Sequence, residues 1–152
     1  MGMQQPSPFA ESTHAMKPFA LTPEMTSAGG TFYPTGHVFA LFPDAAAAQA
    51  AGDALQQQGR TDIAHATPEA ILQHVVRTLG DADTPLPSVG AEGTIVRRIA
   101  GLASQGSHAL LMPAGDDDTP ESLAEAVQPL GAQAAFYYRR LIIEDLLPAP
   151  PP

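Results

Sequence analysis

Apolar residues follow two kinds of pattern along this chain. Short unbroken runs, HVFALF at 37–42 and HALLM at 108–112, stand between turn residues, whereas longer stretches repeat apolar positions every three or four residues. The first kind predicts strands dry on both faces, the second helices with one buried stripe. HVFALF is bounded by Gly36 and Pro43, and Asp44 follows as an N-cap whose carboxylate can accept an orphan amide proton. Ala47, Ala48, Ala51, Ala54 and Leu55 then recur at helical spacing until Gly59 supplies a stop. Gly52 within that helix costs about 1 kcal/mol relative to Ala, which predicts close approach of the helix to a sheet. TDIAHA (61–66) predicts a second short strand, ended by Thr67–Pro68 as cap and first helical residue.

The same order returns downstream. HALLM leads to Thr119–Pro120, to a stripe of Leu123, Ala126, Val127 and Leu130, to Gly131, and to the strand-forming AQAAFYYRRLII (132–143). His37 and His108 hold matching places, 71 residues apart. Between the copies lie two further helical stripes, Ile71, Leu72, Val75, Val76 and Leu79, then Ile95, Val96, Ile99, Leu102 and Ala103, separated by the turn-forming DADTPLPSVG (81–90). Two β-α-β units interleave into an α+β, ferredoxin-like domain: a four-stranded antiparallel sheet with two extra helices inserted between the repeats. Residues 1–33 read as a flexible N-terminal arm with Phe19, Leu21 and Phe32 as anchors, 34–147 as the single domain, and 148–152 as a Pro-rich tail.

GHVFALFPDAAAAQAAGDALQQQGRTDIAHATP (36–68) and HALLMPAGDDDTPESLAEAVQPLGAQ (108–133) resemble the small bacterial general-stress (heat-induced stress protein) domain family, over about residues 36–147. The resemblance implies a ferredoxin-like fold and an association with stress, and brings no catalytic residues. The opening strands add a physical requirement. Each is apolar on both faces, yet the crossover helices cover only one. The inserted helices, the N-terminal arm or a second subunit must cover the other, because a bare apolar sheet face is rare on a monomer.

Charge removes several classes of function. With 16 acids against 7 bases the net charge is −9, which argues against nucleic acid and against an anionic membrane surface. The absence of cysteine excludes disulfides, thiolate metal sites and thiol nucleophiles. No apolar run spans a bilayer and the N-terminus reads as no signal peptide, so the expectation is a cytoplasmic protein.

Candidate chemistry is sparse. His37 and His108 begin strands whose starts fall at opposite ends of an antiparallel sheet, so they cannot share an ion. His65 ends the second strand where His108 begins the third, and the two are candidate neighbours, weighed against ordinary edge histidines. Asp116, Asp117, Asp118 and Glu121 in GDDDTPE lack the spacing of a calcium loop and suit a helix start; Asp81 and Asp83 read as solvated turn residues. FYYRRLII (136–143), read as a strand, sends Phe136, Tyr138, Arg140 and Ile142 to one face and Tyr137, Arg139, Leu141 and Ile143 to the other. Tyr138, Arg139 and Arg140 are candidate interaction residues, weighed against an edge strand whose arginines pair with Glu144 or Asp145. No phosphate loop or nucleophile elbow occurs, and no catalytic, cofactor or metal residue is assigned. The leading expectation is a non-catalytic, stress-associated interaction or regulatory domain acting through homodimerisation on the sheet face or through a protein partner. The alternative is a small-molecule or anion sensor with a cleft near the inserted helices and the 136–143 strand, and a weaker one is a hydrolase or isomerase using His65 or His108.

Overall fold

The computed structural model describes residues 16–20, 25, 32–76, 91–140 and 142–147. Along the chain run β1 (Lys17–Pro18), β2 (His37–Phe42), helix α1 (Ala45–Gln57), β3 (Ala64–Ala66) and the short helical segment α2 (Pro68–Ala70), which continues as a π-helical turn over Ile71–Val76. Then come α3 (Ala91–Ser104), β4 (His108–Pro113), α4 (Pro120–Val127) with a 3-10 turn over Gln128–Leu130, β5 (Ala134–Tyr138) and β6 (Ile143–Asp145).

The helices start and stop where local chemistry directs. The Ala47 amide donates to Asp44 Oδ1 at 2.8 Å, and the Ala70 amide donates to Thr67 Oγ1 at 3.1 Å. At α4, Thr119 and Ser122 cap reciprocally: the Ser122 amide donates to Thr119 Oγ1 and the Thr119 amide to Ser122 Oγ. Gly59 and Gly131 both take φ of +96°, the left-handed conformation that ends a helix without a Cβ penalty.

Among the described residues, six strands lie in one mixed sheet, ordered β1-β3-β4-β2-β5-β6. β2 and β4 are side by side at its centre and antiparallel, with His37 opposite Pro113 and Phe42 opposite His108. The expected four-stranded antiparallel sheet is corrected to six strands. Lys17–Pro18 adds an edge parallel to β3, so part of the stretch read as a flexible arm belongs to the sheet. At the other edge the strand expected over 136–143 ends at Tyr138. The Arg139 amide donates to the Ile142 carbonyl at 2.8 Å, closing a turn that returns β6 along β5.

Alternation along β2 and β4 feeds two cores. Val38, Ala40, Phe42, Leu110 and Met112 pack beneath α1 and α4, against Ala48, Ala51, Leu55, Leu123 and Val127. Phe39, Leu41, Ala109 and Leu111 point the other way, with Phe136 and Tyr138, against Ile71 and Val75 and against Ile95, Ile99 and Ala103 of α3. Phe32 is buried in this second core and Phe19 packs against it, as anchors should; Leu21 lies outside the described residues. The inserted helical segments and the N-terminal stretch therefore pack on the face opposite the crossover helices.

Two helical expectations are corrected. Gly52 does not make room for the sheet: a Cβ there would overlap the Met16 Sδ, so the glycine admits the N-terminal stretch over α1. Leu72 is 37% exposed, because the turn over Ile71–Val76 buries Ile71 and Val75 and carries Leu72 off their face. Leu79 and the 81–90 turn, with Asp81 and Asp83, lie outside the described residues.

Candidate functional site: a histidine pair between two strands

β3 pairs with β4 so that His65 stands opposite Leu110 and Ala66 opposite Ala109. Side chains alternate along a strand, so His65 and His108 both project on the face of Leu110, the side of the crossover helices. There His65 Nε2 and His108 Nδ1 lie 2.9 Å apart, a hydrogen bond between half-buried side chains. The rings are inclined by only 19° and their centroids are 5.1 Å apart. That separation matches a nitrogen–nitrogen bond plus the two ring radii, so the rings meet edge to edge. One nitrogen must donate and the other accept, which a neutral imidazole permits and an imidazolium facing another does not. Burial pushes the His65 pKa below its ordinary 6.5, and repulsion from His108 lowers it further. His37 is at the far end of β2, where Nδ1 approaches the Thr35 carbonyl oxygen at 3.0 Å; His74 lies 6.3 Å from the Phe19 ring. Among the described residues, no group of three or more His, Asp or Glu side chains is placed to hold a metal ion.

The second candidate cluster divides at the β5–β6 turn. Tyr138 is a core residue, 1% exposed, edge-on to both Phe32 and Tyr33, so it is corrected as an interaction candidate. The alternation that sends Phe136 and Tyr138 to one face holds only to the end of β5. Beyond it, Arg139 and Arg140 are exposed and Ile142 is 56% exposed. The Arg139 guanidinium pairs with Glu144 at 2.6 Å and lies 5.7 Å from the Tyr137 ring centroid, while its carbonyl accepts the Tyr33 hydroxyl. The Arg139–Glu144 pairing expected of an edge strand is present, across a hairpin.

GDDDTPE also resolves into structure. Asp118 accepts a bidentate pair of hydrogen bonds from Arg60, both at 3.0 Å, and further ones from the Gly115 amide and the Ser122 hydroxyl. The Arg60 hydrogen bond outweighs the opposing effect of burial and, helped by those donors and by the arginine's charge, holds the carboxyl down at about 2. Asp116, Asp117 and Glu121 are exposed.

The sequence reading omitted two arginines. Arg60, just past the Gly59 stop, ties the chain entering β3 to the start of α4. Arg98 on α3 donates to Asp145, to the Gln133 carbonyl and to the Leu147 carbonyl, and lies 5.8 Å from the Phe136 ring centroid. A basic residue at a helix stop and another between apolar stripe positions are ordinary surface patterns, and their partners lie 35 to 58 residues away.

Among the described residues no helix is long and apolar enough to cross a membrane. No family model, curated protein or solved structure matches this chain.

Proposed function

We propose that this chain is a non-catalytic interaction domain, associated with stress as its family resemblance implies, built on an elaborated ferredoxin-like sheet of two strand–helix–strand halves. The observation that carries the reading is the β5–β6 turn. It displays exposed Ile142 two residues after exposed Arg140, with the Arg139 guanidinium paired to Glu144, on a protein of net charge −9. An exposed apolar side chain with an exposed arginine close by in sequence suits an acidic segment with an apolar anchor, and an acidic chain offers such surface on a second copy of itself. Self-association through the turn is therefore the favoured mode.

Light scattering on eluted protein tests it. A dimer of the unaltered chain that becomes a monomer in Ile142→Asp, and weakens with rising salt, supports the reading. A monomer at all concentrations, or a dimer indifferent to that substitution, removes it. The runner-up, an anion sensor, draws on the exposed Arg140 alone. It requires a nucleotide or organic anion that raises the melting temperature of the unaltered protein and not of Arg140→Ala.

A further inference from the structure

We propose that His65 and His108 form an acid-released latch between β3 and β4, closed while the pair shares one proton across the gap and opened when each facing nitrogen carries its own. At 2.9 Å, one N–H and one lone pair occupy the space between Nε2 of His65 and Nδ1 of His108. A first added proton can enter on a nitrogen pointing away, leaving a charge-assisted bond in place. A second converts the remaining acceptor into a donor. Two N–H groups and two positive charges then meet at hydrogen-bond distance between half-buried rings, and the pair must separate.

Geometry separates the latch from a metal site. Two nitrogens bound to one zinc ion at about 2.0 Å in tetrahedral geometry stand roughly 3.3 Å apart with both lone pairs turned toward the ion. Here the nitrogens are closer and the rings meet nearly in one plane.

Among the described residues, the other charged groups on the neighbouring elements are paired, exposed, distant along the sheet or on its other face. Lys17 of β1 is beside Ala64, on the opposite face by alternation, and His37 is at the far end of β2. Around α1, Asp44 caps the Ala47 amide and Asp53 accepts from Gln49. Around α4, Asp118 is held by Arg60, while Asp116, Asp117, Glu121 and Glu125 are exposed. Asp62, ahead of β3, is exposed; Glu69 lies in α2 and His74 in the π-helical turn after it, whose buried Ile71 and Val75 pack on the other face. His108 is the charged group that shifts His65.

Position gives the latch leverage. β3 has only three residues, carries β1 on its outer edge, and passes through Thr67 into α2. Opening at His65 thus loosens an edge strand and the segment that brings Ile71 and Val75 onto the second core.

The sign follows from the lowered His65 pKa. The unfolded chain binds a proton near 6.5 that the folded pair resists, so stability is full above that pH and is lost as pH falls from 6.5 through the lowered folded value. Denaturant titrations of the full chain from pH 8 to 5 should show the unfolding constant rising below 6.5, by at most about tenfold per pH unit for one proton. His65→Gln, whose amide can still bond His108 without titrating, should lose most of that rise, while His37→Gln and His74→Gln keep it. An equal rise in His65→Gln and the unaltered protein overturns the latch. Imidazole nitrogen resonances of the unaltered protein give a second reading that does not depend on a variant folding. Two coupled titrations, the later one below 6.5, support the latch; two independent titrations near 6.5 overturn it. Zinc that raises the melting temperature of the unaltered protein but not of His65→Gln also overturns it, in favour of a metal site.

Discussion

On the crossover side of the sheet, Ala48 and Ala51 let α1 come close to the strands; on the other side, the rings of Phe32, Phe39, Phe136 and Tyr138 fill the space. The first cover is local. α1 and α4 each follow directly from the strand they cross, and Asp44 and Thr119 cap their starts. The second is assembled from distant pieces: Phe32 between β1 and β2, Ile71 and Val75 after β3, and α3 before β4. Small residues need close approach and tolerate no added volume, whereas rings contribute large buried area and leave large cavities when removed. The two faces should therefore fail in opposite ways.

Truncation of a ring is the strongest way to expose that contrast. Phe32→Ala and Phe136→Ala should each cost about 3–5 kcal/mol in denaturant unfolding. The Phe32 result bears on assembly as well: a loss below about 1 kcal/mol would mean that the N-terminal stretch is no part of the second cover. On the crossover face enlargement should do the damage, with Ala51→Leu costing about 1–3 kcal/mol through overpacking. If Ala51→Leu proves neutral, the close approach of α1 is not what shapes that core.

Smaller effects sharpen the account of the crossover side. Asp118 ties the start of α4 to the chain entering β3, and its carboxyl is held at about 2 against an ordinary 3.8. A depressed carboxylate stabilises the fold above its unfolded value, and the contribution is lost as pH falls from 3.8 through about 2. Asp118→Asn should cost about 1–2 kcal/mol at neutral pH, allowing for solvent screening, and flatten the acid limb over that window. An unchanged acid limb would show that the pair with Arg60 contributes nothing. Gly52→Ala is the smallest: about 1 kcal/mol of helix propensity is offset by displacement of the flexible end of Met16. A net change within about 1 kcal/mol, with loss of protection at Lys17 and Phe19 in hydrogen exchange, is expected; retained protection would show that Met16 does not hold β1 in place.

The strands at 37–42 and 108–112, the caps at Asp44, Thr67 and Thr119 and the glycine stops were legible because each depends on neighbours in sequence. The nearness of His65 and His108 was legible too, since antiparallel pairing of the second and third strands brings one end to the other's beginning. β6 was not: FYYRRLII carries the same alternation as one strand or as a hairpin, and only the Arg139–Ile142 bond marks the reversal. β1 is two residues long and carries no periodicity at all. Tyr138 looked like a surface platform beside two arginines because alternation assigns it a face without saying that Phe32 and Tyr33 lie upon that face.

By itself, then, the sequence determined what contiguous residues decide: the apolar runs, the helix boundaries, and a sheet whose central strands had to be dry on both sides. Tertiary structure decided which distant segments would dry the second side, that Arg60 and Arg98 would bind groups tens of residues away, and that two histidine nitrogens would come within one hydrogen bond. Periodicity reports which way a side chain points. Its partner depends on packing among segments whose separation along the chain carries no such signal.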